Sequence, residues 1–161
     1  MSVPRLRVGQ GFDVHPFSDD PGCPLVLGGV TFAGERGLVG HSDADVVAHA
    51  VADALLGAAG LGDIGEHFPD TDPEGAGADS LAILREVAAR VGHAGWVPAN
   101  VDCTVVTEAP KLASHRNAMQ ERLSEAAGCA VTVKAKRAEG LGALGRGEGI
   151  ACHAVALVER R

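Results

Sequence analysis

SDADVVAHAVADALLGAA, Ser42 to Ala59, is the stretch on which the fold reading turns. Val46, Val47, Ala50, Val51, Ala54 and Leu55 recur at helical spacing. Ser42 suits the N-cap, with Asp45 three residues on as in a capping box, and Gly60 and Gly62 stop the helix. On its N-terminal side, Leu25 to Phe32 reads as a strand or tight hairpin around Gly28-Gly29. Arg5 to Val14 reads as a strand interrupted by Gly9 and Gly11. On its C-terminal side, Asp63 to Pro73 is rich in Gly, Pro and Asp and reads as a loop. Asp79 to His93 forms a second helix, with Leu81, Leu84, Val87 and Val91 inward and Arg85, Glu86 and Arg90 outward. Trp96 to Thr107 is a strand, Ser114 to Ala127 a third helix and Ala130 to Lys136 a strand. Gly140 to Gly149 is a glycine-rich loop, and Ile150 to Val158 is the last strand. The order β-β-α-α-β-α-β-β predicts a two-layer α+β domain over residues 1–161. Its mixed four-stranded sheet carries helices on one face, with a small hairpin beside it. The uncovered face predicts an oligomer.

Composition narrows the function. The chain has 161 residues, 46% of them hydrophobic, but only four Phe, one Trp and no Tyr. Its core is therefore built from Ala, Val and Leu. A net charge of −7 argues against a nucleic-acid surface, which needs clustered cations. Binding a phosphorylated small molecule then calls for a divalent cation to offset the charge. Cys23, Cys103, Cys129 and Cys152 lack C-x-x-C spacing and read as reduced packing residues of a cytoplasmic protein. Neither a signal-peptide apolar region nor a membrane-length apolar run is seen.

Asp13-Val14-His15 places two ligand-type side chains on one face of a strand, because side chains there repeat every two residues. By itself this fits an end-of-strand turn with hydrogen-bonded Asp and His better than a metal site. His49 changes the reading. It breaks an apolar helical run and has Asp45 and Asp53 four residues to either side, as a ligand oriented by carboxylates would. One Asp and two His suit a borderline divalent metal such as zinc, with a fourth position left open. His41-Ser42 precedes a helix N-terminus, where an anion is favoured. The acidic loop from Asp63 through Phe68-Pro69-Asp70-Thr71-Asp72 is long enough to be functional, or is a surface turn. Glu108 to Lys111, then Lys136, Arg137 and Glu139, end two strands. Arg146 and Glu148 lie among glycines that do not form a Walker motif.

Taken in order, these segments resemble the 2-C-methyl-D-erythritol 2,4-cyclodiphosphate synthase family. They are Gly11 to His15, His41 to Asp45 with His49, Leu61 to Gly65, Phe68 to Pro73, Ala109 to Lys111 and Gly145 to Gly149. The resemblance runs from about Arg5 to the C-terminus. It implies a homotrimer with active sites between subunits. The implied reaction converts 4-diphosphocytidyl-2-C-methyl-D-erythritol 2-phosphate to the 2,4-cyclodiphosphate and CMP, in the non-mevalonate isoprenoid pathway. Asp13, His15 and His49 would hold Zn2+ or another divalent metal. Glu139 would hold Mg2+ or Mn2+ on the diphosphate. His41 and Ser42 would meet the methylerythritol phosphate end. Asp63, Ile64 and Gly65 would meet hydroxyls, and Phe68, Pro69, Asp70, Thr71 and Asp72 would line the pocket. Thr107, Ala109, Pro110, Lys111, Leu112 and Ala113 would wrap cytosine, largely through backbone groups. Phe12, Arg146 and Glu148 would line the trimer axis, where relatives bind isoprenoid diphosphates.

Two positions depart from the family pattern. Lys136-Arg137-Ala138-Glu139 replaces a Thr-rich run, so Arg137 would supply charge where a hydroxyl assists phosphoryl transfer. Ala143 stands where an aromatic residue is common. The competing readings are a zinc-dependent nucleotide hydrolase, with His41 the only nearby base, and a non-catalytic trimeric binder of isoprenoid diphosphates.

Overall fold

The computed structural model describes residues 5–71, 73 and 76–161, so Asp72 lies outside the described residues. The elements are β1 (Leu6–Pro16), β2 (Leu25–Leu27), β3 (Val30–Phe32), α1 (Val46–Ala59), α2 (Ile64–His67), α3 (Ser80–His93), β4 (Trp96–Val106), α4 (Arg116–Ala127), β5 (Ala130–Lys136), α5 (Gly142–Gly145) and β6 (Gly149–Arg160). The main sheet runs β1-β6-β4-β5, and β2 and β3 form the separate hairpin. β1 and β4 are both antiparallel to β6, and β4 is parallel to β5, so the sheet is mixed. Val14 and Val106 both face Ala151 across β6, so the C-terminal ends of β1 and β4 lie at the same level of the sheet. Two strand spacings put them about 10 Å apart.

β1 is not interrupted at its glycines. A Cβ on Gly9 or on Gly11 would lie 2.0 Å from the carbonyl oxygen of Ala54 or Ala50 respectively. The glycines are there so that α1 can lie directly on the strand. Nor does α1 carry a one-sided stripe: Val46, Val47, Ala48, Ala50, Val51, Ala52, Ala54, Leu55, Leu56 and Ala58 are all buried. A helix apolar on nearly every side belongs inside the molecule. It sits between the sheet and the α3 helix.

The cap differs from the expectation as well. Asp45, not Ser42, is the N-cap, and its carboxylate accepts from the N–H groups of Val47 and Ala48. It also accepts from Gly28 N (2.8 Å) and Gly29 N (2.6 Å), the two positive-φ residues of the hairpin turn. Two left-handed residues in a two-residue loop match the strand twist. Asp45 thus ties the hairpin to the start of α1. The two expected loops each contain one helical turn, α2 and α5.

The far face of the sheet leaves Leu6, Val8, Phe12 and Val14 of β1 and Val155 of β6 exposed. Among the described residues, no helix is long and apolar enough to cross a membrane.

Candidate active site

Asp13 and His15 leave β1 on the same side and meet His49 of α1. Asp13 Oδ2 lies 3.0 Å from His15 Nε2 and 3.0 Å from His49 Nδ1, and the two ring nitrogens are 3.4 Å apart. Ligand bonds of about 2.0–2.1 Å in a tetrahedral zinc site place donor atoms roughly 3.3 Å from one another. The triangle therefore fits such an ion, and these three residues form a group able to hold one. His15 Nδ1 lies 2.8 Å from the Val39 carbonyl oxygen and donates to it, so Nε2 faces the other donors. Burial pushes the Asp13 carboxyl up. Hydrogen bonds with His15 and His49 outweigh that effect and hold it well below the usual carboxylate range. The bond to Asp13 raises the His15 imidazole, against the pull of burial.

The flanking carboxylates of α1 do not orient His49. Asp45 is spent on the cap and hairpin, and Asp53 accepts from the Ile64 N–H at 2.7 Å, docking α2. The oriented side of His49 is Nε2, which meets Ser80 Oγ at 2.8 Å and Ser42 Oγ at 3.1 Å.

The triad opens onto a cavity of about 620 Å³ whose walls include His41, Ser42, Ile64, Gly65, Phe68, Pro69 and Asp70. His67, Ala78 and Ile83 also line it, and sequence reasoning had not singled these out. His67 is held at both ring nitrogens. Nε2 donates to the Leu61 carbonyl at 2.7 Å, and Arg90 Nη1 donates to Nδ1 at 2.6 Å. The Arg90 guanidinium also lies over the Phe68 ring, 5.1 Å from its centroid. The rigid helix α3 thereby fixes the α2 segment. Asp63 serves as the α2 N-cap, accepting from Glu66 N, and neither it nor Thr71 reaches the cavity wall.

The remaining candidates form a second cluster at the ends of β4 and β5. The parallel pairing brings them together: Thr107 N donates to Lys136 O at 3.0 Å. Arg137 Nε and Nη2 both reach Glu108 Oε2, at 3.0 and 2.8 Å. The Arg137 guanidinium beside it holds the Glu108 carboxyl below its ordinary value. Leu112 is turned into the core, so only its backbone is available to a ligand. Lys111 and Ala113 are exposed beside it. Glu139 sits in the left-handed region at φ 54°, a strained conformation for a residue with a side chain. Ala143 lies in α5, and Arg146 ends it, paired with Glu148 at 2.6 Å. None of these residues lines the triad's cavity.

A two-layer α+β chain with an Asp-His-His donor set at a cavity defines a protein whose candidate metal site opens onto a pocket. Residues 6–159 match the model of the YgbB family, and the chain belongs to that family. The 2-C-methyl-D-erythritol 2,4-cyclodiphosphate synthase of Bordetella petrii is 57% identical to it, over 99% of both chains. IspF of Plasmodium falciparum, in a CDP complex, is similar with a TM-score of 0.84 and 30% identity, covering 99% of each chain. The bifunctional IspDF of Campylobacter jejuni aligns with a TM-score of 0.91 and 40% identity, over 97% of this chain and 42% of that one.

Proposed function

We infer that this chain converts 4-diphosphocytidyl-2-C-methyl-D-erythritol 2-phosphate to 2-C-methyl-D-erythritol 2,4-cyclodiphosphate and CMP, in isoprenoid biosynthesis. The observation that carries the chemistry is the Asp13-His15-His49 triangle opening onto its cavity. The named activity of a relative 57% identical over the whole length carries the substrate.

The reaction is an intramolecular phosphoryl transfer. An oxygen of the 2-phosphate bonds to the β-phosphorus, and the bond from that phosphorus to the CMP oxygen breaks. The nucleophile is already ionised, so the protein's task is to hold two anionic ends of one molecule together. Zinc or another divalent ion at Asp13, His15 and His49, with magnesium or manganese at Glu139 on the diphosphate, would neutralise that charge and polarise the phosphoryl oxygens.

His41 and Ser42, on the wall beside the triad, suit the methylerythritol phosphate end. Ile64 and Phe68 line the same cavity with apolar surface and exclude water from the phosphate. Gly65 offers close backbone approach to a hydroxyl, with Asp63 at the head of α2. The Thr107 to Ala113 stretch suits cytosine, and Arg137 suits the charge of the nucleotide phosphates. Cyclisation is favoured over nucleotide hydrolysis by the relatives' activity.

Two features support a homotrimer. The exposed apolar strip of β1 needs covering. The triad's cavity also lacks the nucleotide segments, which a neighbouring copy would supply. Phe12, Arg146 and Glu148 would then lie near the axis, as a site for an isoprenoid diphosphate. A reducing cytoplasm suits the four free cysteines.

The test is incubation of purified, metal-supplemented protein with the diphosphocytidyl substrate. Equal amounts of CMP and cyclic product are expected. Neither product from folded, metal-loaded protein would refute the assignment.

A further inference from the structure

The metal-ligand reading of Asp13, His15 and His49 leaves open what keeps the His49 ring in the correct tautomer. His49 turns Nδ1 toward Asp13 and His15 and Nε2 away from them. A ring nitrogen that binds a cation offers a lone pair, so the proton of the neutral imidazole must sit on the other nitrogen. Nε2–H then needs an acceptor.

Two hydroxyls stand near it, and they are not equivalent. Ser80 Oγ is the closer, at 2.8 Å against 3.1 Å for Ser42 Oγ. Ser80 is 1% exposed, whereas Ser42 lies on the cavity wall. A buried hydroxyl that accepts from Nε2–H must give its own proton elsewhere. The Ser80 hydroxyl gives it to Asp43 Oδ1. The Ser80 backbone N–H also donates to Asp43 Oδ2, at 3.1 Å. The Asp43 carboxylate, an acceptor only, thus takes both donors of Ser80. With Asp43 taking the Ser80 proton, the Ser80 oxygen is left to accept from His49 Nε2–H, while Ser42 Oγ stands farther from both, at 3.1 Å from Nε2 and 3.4 Å from Ser80 Oγ.

The backbone is shaped to make this contact. Asp43 N donates to Ala78 O at 3.1 Å, and Gly77 N to His41 O at 2.9 Å, joining the two segments that carry Asp43 and Ser80. Ala44 adopts φ 57°, a left-handed conformation that is strained for a residue with a side chain. That turn sets Asp43 against Ser80 just before α1 begins.

We propose that Asp43 and Ser80 are positioning residues of the metal centre: Asp43 orients the Ser80 hydroxyl, and that hydroxyl holds His49 as its Nε2–H tautomer with Nδ1 facing the cation. Ser42 is thereby left for the ligand side of the cavity. The inference deepens the proposed metal site and rests on it.

The test is zinc affinity of the full chain, read by competition with a chromophoric chelator, with thermal unfolding of the metal-free protein as a control on folding. Ser80→Ala should weaken zinc by about 10- to 100-fold, the range for losing a group that orients a ligand. Asp43→Asn should shift affinity in the same direction. Ser80→Thr, which keeps the hydroxyl, should recover affinity relative to Ser80→Ala. Ser42→Ala should stay within about threefold of the parent, well under that range. Ser80→Ala binding within about threefold of the parent would overturn the proposal. A Ser42→Ala loss equal to that of Ser80→Ala would do the same. Nitrogen NMR of the cadmium-loaded parent is independent of any variant. Metal coupling at His49 Nδ1 supports the proposal, and coupling at Nε2 overturns it. If His49→Ala binds zinc as tightly as the parent, the ligand assignment itself falls and takes the proposal with it.

Discussion

The β1–α1 end and the β4–β5 end of this molecule lie at the same level of one sheet but are finished in opposite ways. At the first, three histidines of the site are anchored within the chain. His15 is held by the Val39 carbonyl, His49 by Ser80 and His67 by Arg90. At the second, the Arg137 side chain is 68% exposed and is fastened to Glu108. A cation centre needs donors fixed before it binds, so the first end is complete in one copy. On the proposed function the second end would meet the nucleotide and would be finished by its ligand and by a neighbouring copy, which suits its open, exposed form.

The largest effect should come from breaking the first end. His49→Ala is expected to abolish zinc binding and lower turnover by at least about a thousandfold, since metal charge stabilisation is worth several kcal/mol. Fluorimetric zinc titration and a CMP-release assay check this, with circular dichroism expected to be unchanged. Asp45→Asn should cost about 2–3 kcal/mol of stability. It sets an amide donor against the N–H groups of the hairpin turn and removes charge-assisted bonds. Denaturant unfolding measures this loss.

The open end should respond differently. Arg137→Gln is expected to lower kcat/KM about tenfold, the scale of one lost hydrogen bond to a charged group. Zinc affinity and unfolding midpoint should not move. A drop in zinc affinity would show that the two ends are not independent.

The smallest effect concerns Asp102, whose carboxyl is held below its usual value first by Lys134 and then by the Thr132 hydroxyl. A depressed folded-state value means stability present above the unfolded carboxylate range, near pH 3.9, and lost as pH falls below it. The pair is exposed, so the loss should be under about 0.5 kcal/mol. Comparing parent and Asp102→Asn unfolding at pH 7 and pH 3 checks it.

The sequence was readable where local periodicity carries the information. The two-residue repeat put Asp13 and His15 on one face, and helical spacing marked α1 and α3. His49 stood out because it breaks an apolar run. What stayed hidden depends on contacts between distant segments. Gly9 and Gly11 read as breaks in β1 because nothing local says that a helix will lie against them. Asp45 read as part of a capping box, but its other partners are 16 and 17 residues upstream. Ser80 is 31 residues from His49 and resembles any helix-starting serine. The flanking carboxylates of α1 suggested an orienting group for His49, and the true one came from α3. Arg90 read as a solvent-facing charge, yet it spans two side chains of the cavity wall.

The proposed site delivers a phosphate, not a water, to the β-phosphorus. Turnover in heavy-oxygen water followed by mass spectrometry of both products tests this directly. CMP and cyclic diphosphate are expected without solvent oxygen. One solvent oxygen in CMP or in a methylerythritol 2,4-bisphosphate product would mean hydrolysis, and would contradict the proposed transfer.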